Sequence, residues 1–178
     1  MLRRLWVVPI VLIVACEVAL GEAAKGDLVA EPAPPDVIVA QGNNAFAAAL
    51  YARLREQEGN LFFSPFSISG ALAMTHAGAR GETEAQMAQV LHFRLDQARL
   101  HPAFASLMAA LSAGAEKGGY ELSIANALWG QKGYGFLAEF LKTTREHYGA
   151  GLREIDFGAD PEGARKTINQ WVEDQTRN

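Results

Sequence analysis

The sequence is 178 residues long, 49% apolar and 20% charged, with a formal net charge of −4. Its length and composition suit a single globular domain, and its charge excludes the basic field that nucleic-acid binding requires. A single cysteine, Cys16, excludes an internal disulfide framework and a cysteine-based zinc site.

Arg3 and Arg4 precede the apolar run Leu5 to Ala15, which is too short to span a bilayer comfortably. This pattern predicts an export signal. Ile13-Val14-Ala15-Cys16 resembles a bacterial lipobox, so residues 1–16 are expected to form the signal, with Cys16 as lipid acceptor. Cleavage after Ala19-Leu20-Gly21 is the alternative and would discard Cys16. Either way the mature protein is exported, held at a membrane by its N-terminal lipid or free in the extracellular space. Residues 17–36 contain Pro32, Pro34 and Pro35 without apolar periodicity and read as a tether. The folded domain is expected over residues 37–178.

Asn43-Asn44 is expected to cap a helix whose apolar stripe is Phe46, Leu50 and Leu54. Leu61 to Phe63 reads as a short extended segment, ended by Ser64-Pro65. The next helix, from about Pro65 to Ala79, has Ile68, Ala71, Leu72 and Thr75 on one side and Gly70, Ala73 and Met74 on the other. So little polar surface predicts a buried helix. Thr83 and Gln86 have capping-box spacing, with Met87, Val90 and Leu91 continuing that helix. A further helix is expected over about Pro102 to Ser112, with Phe104, Leu107, Met108 and Leu111 aligned. Tyr120, Leu122 and Ile124 alternate with polar residues and lead into Ala125 to Trp129, which predicts a strand. Phe136, Leu137, Phe140 and Leu141 return to helical period up to Tyr148, with Glu139, Lys142 and Glu146 on the wet side. Leu152 to Phe157 reads as a shorter strand. Asp160-Pro161 starts a last helix, with an inner stripe of Ala164, Ile168, Trp171, Val172 and Gln175. The class is α+β.

Catalytic and metal-binding patterns are missing from the sequence. His76, His92, His101 and His147 form no metal-ligand spacing and read as surface or helix-end residues. No serine sits in a G-x-S-x-G or S-x-x-K motif, and the glycines of Gly130 to Gly135 match no phosphate-binding loop. No enzyme activity, metal or cofactor is therefore expected.

A different pattern runs through the chain in order. NAFAAALYARL followed by GNLFFSPFSISGALAM, then GARGETEAQM, LSIANALWGQ and INQWVEDQT, resembles the amino-terminal portion of the serpin family. The resemblance implies a serpin fold: the first helices, the first strands of a large central sheet, and a helix crossing the front of that sheet. It implies an inhibitor of serine or cysteine endopeptidases, which offers an exposed reactive loop and inserts the cleaved loop into the sheet as an extra strand. The target protease would be the partner, met through a loop downstream of these residues. The resemblance further implies a conformational switch beneath the sheet opening. Carried over by position, its polar residues are Ser64, Ser67, Asn126 and Asn169. Helix capping for the serines, and locally satisfied amides for the asparagines, are the alternative roles. A non-inhibitory serpin-like scaffold or binding lipoprotein is the alternative function.

Overall fold

Pro35 opens the first helix because a proline lacks the N–H that a first helical turn leaves unpaired. The computed structural model describes residues 33–120, 122, 124–149 and 151–176. Cys16, the signal and most of the tether lie outside them. Helix α1 spans Pro35–Leu54, with Pro34 extended at its N-cap (φ −52°, ψ 147°), as a residue before proline should be. Asn43 and Asn44 therefore lie inside α1 and do not cap it. The predicted stripe holds but begins earlier: Val39, Gly42 and Phe46 are buried, and Leu50 and Leu54 are half-buried.

Helix α2 spans Pro65–His76, and Ser64 before it is extended. Its buried residues are Ser69, Gly70, Ala73, Met74 and His76, while Leu72 and Thr75 are exposed. The helix is central, as expected, but the Leu72–Thr75 side is the outer one. Its last carbonyls accept from the backbone of residues 77–79, as helix ends require, and side chains pin the turn that follows. Arg80 donates to Ala77 O at 2.9 Å and to Ala79 O at 2.7 Å, and Gln97 Nε2 donates to Ala79 O at 3.1 Å.

Helix α3 spans Gly81–Val90 with Arg80 at its N-cap and no side-chain cap bond. The expected capping box does not form. Thr83 lies inside the helix, and Gln86 donates instead to Glu82 at 2.9 Å. Leu91 just beyond α3 is buried, but Val90 is 66% exposed. Helix α4 spans Gln97–Gly118, starting before Pro102 because Asp96 caps it, Oδ1 accepting from Arg99 N at 3.0 Å. Phe104 is enclosed at its centre, Leu107 packs against the core, and Leu111 lies at the surface. Between α3 and α4, His92 adopts a left-handed φ of 56°. Its carbonyl oxygen lies 2.5 Å from where a Cβ on Gly42 would stand, so only glycine lets α1 approach this turn.

The central core joins Val39 of α1, Ala73 of α2 and Leu100, Ala103 and Phe104 of α4 with Leu95. Helix α5, Ala138–Tyr148, closes this layer through Tyr148. Glu139, Lys142 and Glu146 are on its exposed side, as expected. Phe136 and Leu137 precede the helix, and Leu137 serves as its exposed N-cap.

Two strands pair in parallel among the described residues: β1, Trp129–Gln131, and β2, Arg153–Ile155. Trp129 faces Arg153, Gly130 faces Glu154 and Gln131 faces Ile155. The strand expected from Tyr120 to Trp129 is corrected here. Tyr120 belongs to the turn that ends α4, its N–H bonded to Ala115 O at 3.2 Å after Gly119 at φ 70°. Residues 124–128 carry no strand assignment, since alternation alone does not create a ladder without a paired neighbour. Helix α6, Pro161–Thr176, starts as predicted, Asp160 Oδ1 accepting from Gly163 N at 2.9 Å. Ala164 of its inner stripe is buried, Ile168 and Trp171 are half-buried, and Val172 is 43% exposed. The α+β class holds, with helices dominating.

Candidate functional site

Ser64 caps α2 because its extended backbone points the hydroxyl back at the first turn. Its Oγ accepts from Ser67 N at 3.2 Å and donates to Ser67 Oγ at 2.9 Å. Asn126, distant in sequence, donates from Nδ2 to the backbone oxygen of Ser67 at 3.1 Å. A Cβ on Gly70 would stand 3.2 Å from the same Nδ2. Thus three of the four polar residues singled out from the sequence meet at the start of α2. The contact ties an extended, unladdered segment to the central helix. Ser64 is exposed, while Ser67 and Asn126 are half-buried. Asn169 is exposed on α6 and is not part of the cluster. The helix register explains this: Ala164, Ile168 and Trp171 take the inner face, which turns position 169 outward.

A second polar cluster lies at the other end of α2. His76 and His101 are 2% and 3% exposed; His76 does end α2, as expected for a helix-end histidine, but both rings are buried, which corrects the expectation of a surface position. His101 Nδ1 lies 2.7 Å from the Tyr148 hydroxyl, and the two residues come from α4 and α5. His76 packs edge-on against Phe93, ring centres 5.3 Å apart, and lies 6.3 Å from His101. Both nitrogens of His76, and Nε2 of His101, have no hydrogen-bond partner. Burial pushes the His101 pKa down to about 4, helped by the neighbouring His76, His147 and Arg80. Burial also lowers that of His76, against an opposing pull from Glu84. Burial raises that of Tyr148, so its hydroxyl stays protonated.

Beside the cluster opens a polar cavity of about 390 Å³ lined by Arg80, Glu84, His101, Glu139 and His147 among others. Positions 69, 73 and 76 share one helical face, and it is the structure that selects this face of α2 for burial. Among the described residues, no cluster of His, Cys, Asp and Glu is arranged to hold a metal ion.

A third grouping joins the small sheet to α6. The Arg153 guanidinium lies 5.6 Å from the Trp129 ring centre and 5.5 Å from that of Trp171. The two indoles meet edge to face at 6.1 Å. This seats the inner stripe of α6 on the strands.

Comparison with known proteins agrees with this architecture. The family model described as serpin (serine protease inhibitor) matches residues 41–178. The leukocyte elastase inhibitor of Bos taurus is 50% identical over 137 residues, covering 75% of this chain and 35% of the bovine protein. A serpin-like protein of Thermococcus kodakarensis is 41% identical over 133 residues, covering 75% of this chain and 31% of its own. The chain thus spans about a third of the length of the curated relatives it matches. Among solved structures, a cleaved Serpin 42Da superposes with a TM-score of 0.70 at 29% identity, covering 81% of this chain and 37% of that one. A lamprey angiotensinogen with a cleaved reaction loop gives 0.64 at 27% identity, covering 81% and 41%. The ordered helices and these matches lead to one conclusion: the chain belongs to the serpin family.

Proposed function

We propose that this chain is the amino-terminal part of an inhibitor of serine endopeptidases, acting as a suicide substrate whose cleaved loop enters the central sheet. The observation that carries this reading is the 50% identity, over 137 residues, to a protein named for inhibiting leukocyte elastase. The Ser64–Ser67–Asn126 contact supports it chemically. Small hydroxyls and amides can exchange partners between two packings, where apolar groups can only pack. In this role Asn126 releases the Ser67 carbonyl as the sheet opens. The test incubates the complete protein with elastase-, trypsin- and subtilisin-type proteases. A covalent complex stable on denaturing gels is expected with at least one serine protease. Cleavage without a complex for all of them would point to the non-inhibitory scaffold.

We further propose that the protein is exported and anchored at a membrane through Cys16. The support is the sequence pattern: two arginines, an apolar run and Ile13-Val14-Ala15-Cys16. Among the described residues no helix is long and apolar enough to cross a membrane. Mass spectrometry of the mature N-terminus from a bacterial host should find a diacylglyceryl cysteine. A free Glu22 start would show ordinary signal cleavage instead.

A further inference from the structure

We propose that His76 and His101 form an acid-sensitive catch that holds α2, α4 and α5 together while both rings are neutral and loosens when either ring takes a proton. The geometry carries it. The two rings come from α2 and α4, and His101 reaches α5 through the Tyr148 hydroxyl at 2.7 Å. They are packed among Phe93, Phe104 and Tyr148, so a charge there has almost no water to solvate it. Nε2 of His101 has no hydrogen-bond partner, so a protonated His101 ring would bury an unpaired N–H, and at His76 burial outweighs the Glu84 backbone that favours the charged ring.

Glu84 of α3 favours a cation on His76, but Arg80 opposes it and burial outweighs both. For His101, the facing groups are His76, His147 of α5 and Arg80, and each opposes a positive charge. Tyr148 stays neutral and protonated. Glu139 lines the cavity beside His101, and Asp96 lines the one beside His76, yet neither bonds to a ring. The cavity that His101 lines gives the proton its route from solvent.

The sign follows from linkage. An unfolded histidine takes a proton near pH 6.5, whereas folded His101 does so only at about 4. Between those values the unfolded chain binds more protons, so stability is complete above about pH 6.5 and falls as the pH drops towards 4. For His101 alone the folded-to-unfolded ratio should fall roughly a hundredfold by pH 4. Because Ser67 and His76 sit at opposite ends of α2, acid loosening at one end reaches the helix that carries the contact with Asn126.

The test uses the full chain. Histidine side-chain NMR should show His76 and His101 titrating below the ordinary histidine value, His101 near 4. Denaturant midpoints of the wild type should fall between about pH 6.5 and 4 more steeply than those of a His76→Phe/His101→Asn variant, in which one ring keeps its shape and the other its bond to Tyr148. Amide exchange, corrected for intrinsic pH effects, should accelerate first in the last turns of α2 and α5. The proposal is overturned if His76 and His101 titrate near 6.5, if the variant loses stability with acid as steeply as the wild type, or if exchange rises uniformly along the chain. Should the variant fail to fold, the wild-type titration and exchange pattern decide alone.

Discussion

Ser64 and Gly70 show how much a single position carries at the start of α2. Ser64 satisfies an otherwise unpaired N–H of the first turn, so Ser64→Ala should cost about 1 kcal/mol and Ser64→Gly only a few tenths. Urea midpoints at neutral pH would measure both, and equal costs would show that the hydroxyl caps nothing. Gly70 leaves just enough room for the Asn126 amide, 3.2 Å from the missing Cβ. In the wild type, Gly70→Ala should therefore strain the Asn126–Ser67 bond and destabilise the chain. In an Asn126→Ala background the obstacle is gone, and the helix propensity of alanine should make the same change neutral or favourable by about 0.5–1 kcal/mol. A double-mutant cycle reads this coupling directly. Strict additivity would mean that Asn126 and Gly70 do not share one space.

At the scale of elements, the Trp129–Arg153–Trp171 sandwich decides whether α6 is docked. Trp171 is half-buried, so Trp171→Ala should cost roughly 2–3 kcal/mol, below the ~3–5 of a fully enclosed aromatic. Trp171→Phe should recover part of that by keeping a face for the guanidinium. An unchanged unfolding midpoint in Trp171→Ala would mean that α6 gains nothing from the strands. The same elements show what the sequence made legible. Asp160-Pro161 placed the start of α6 because cap and proline act within one turn. The starts of α1 and α4 were misplaced for a related reason. Asn43-Asn44 and Pro102 are good start signals in isolation, but Pro35 and Asp96 supply earlier ones, and a helix extends to its outermost workable cap. The strand expected from Tyr120 does not form along its length, because pairing is a property of two segments and alternation reports only one of them. Of the polar residues that the family resemblance suggests, Ser64, Ser67 and Asn126 meet at the start of α2. Asn169 was not brought to it, because register rather than residue type turns a side chain inward. His76 and His101 escaped notice because their burial depends on which face of α2 meets α4, a choice that a helix apolar all round does not reveal.

Over the whole molecule, the packing is uneven. The buried residues cluster where α1, α2 and α4 meet, with Tyr148 of α5 packed against them, whereas β1 and β2 have three residues each and pair only with one another among the described residues. A two-stranded ribbon of that size is marginal on its own and depends on what packs against it. Here the support comes from Trp171 and from a side-chain link, in which Gln131 bonds to Asp156 at 3.0 Å and to Phe157 N at 2.9 Å. Large apolar side chains around the strands are correspondingly open: Tyr134 and Leu137 are each 74% exposed, and they line an apolar cavity of about 420 Å³ with Trp129, Phe136 and Phe140. Opening free energies should follow this division. In the 178-residue chain, amides at the centres of α2 and α4 should exchange only through global unfolding, while those of β1, β2 and α6 should open locally and much faster. The Ser67–Asn126 bond lies on the boundary between the two regimes, with its acceptor on α2 and its donor on the unladdered segment. Asn126→Ala should therefore speed exchange in residues 124–131 while leaving the centre of α4 unchanged. Hydrogen exchange followed by mass spectrometry separates these regions, and a uniform rise across both would show that the helices and strands unfold as one unit.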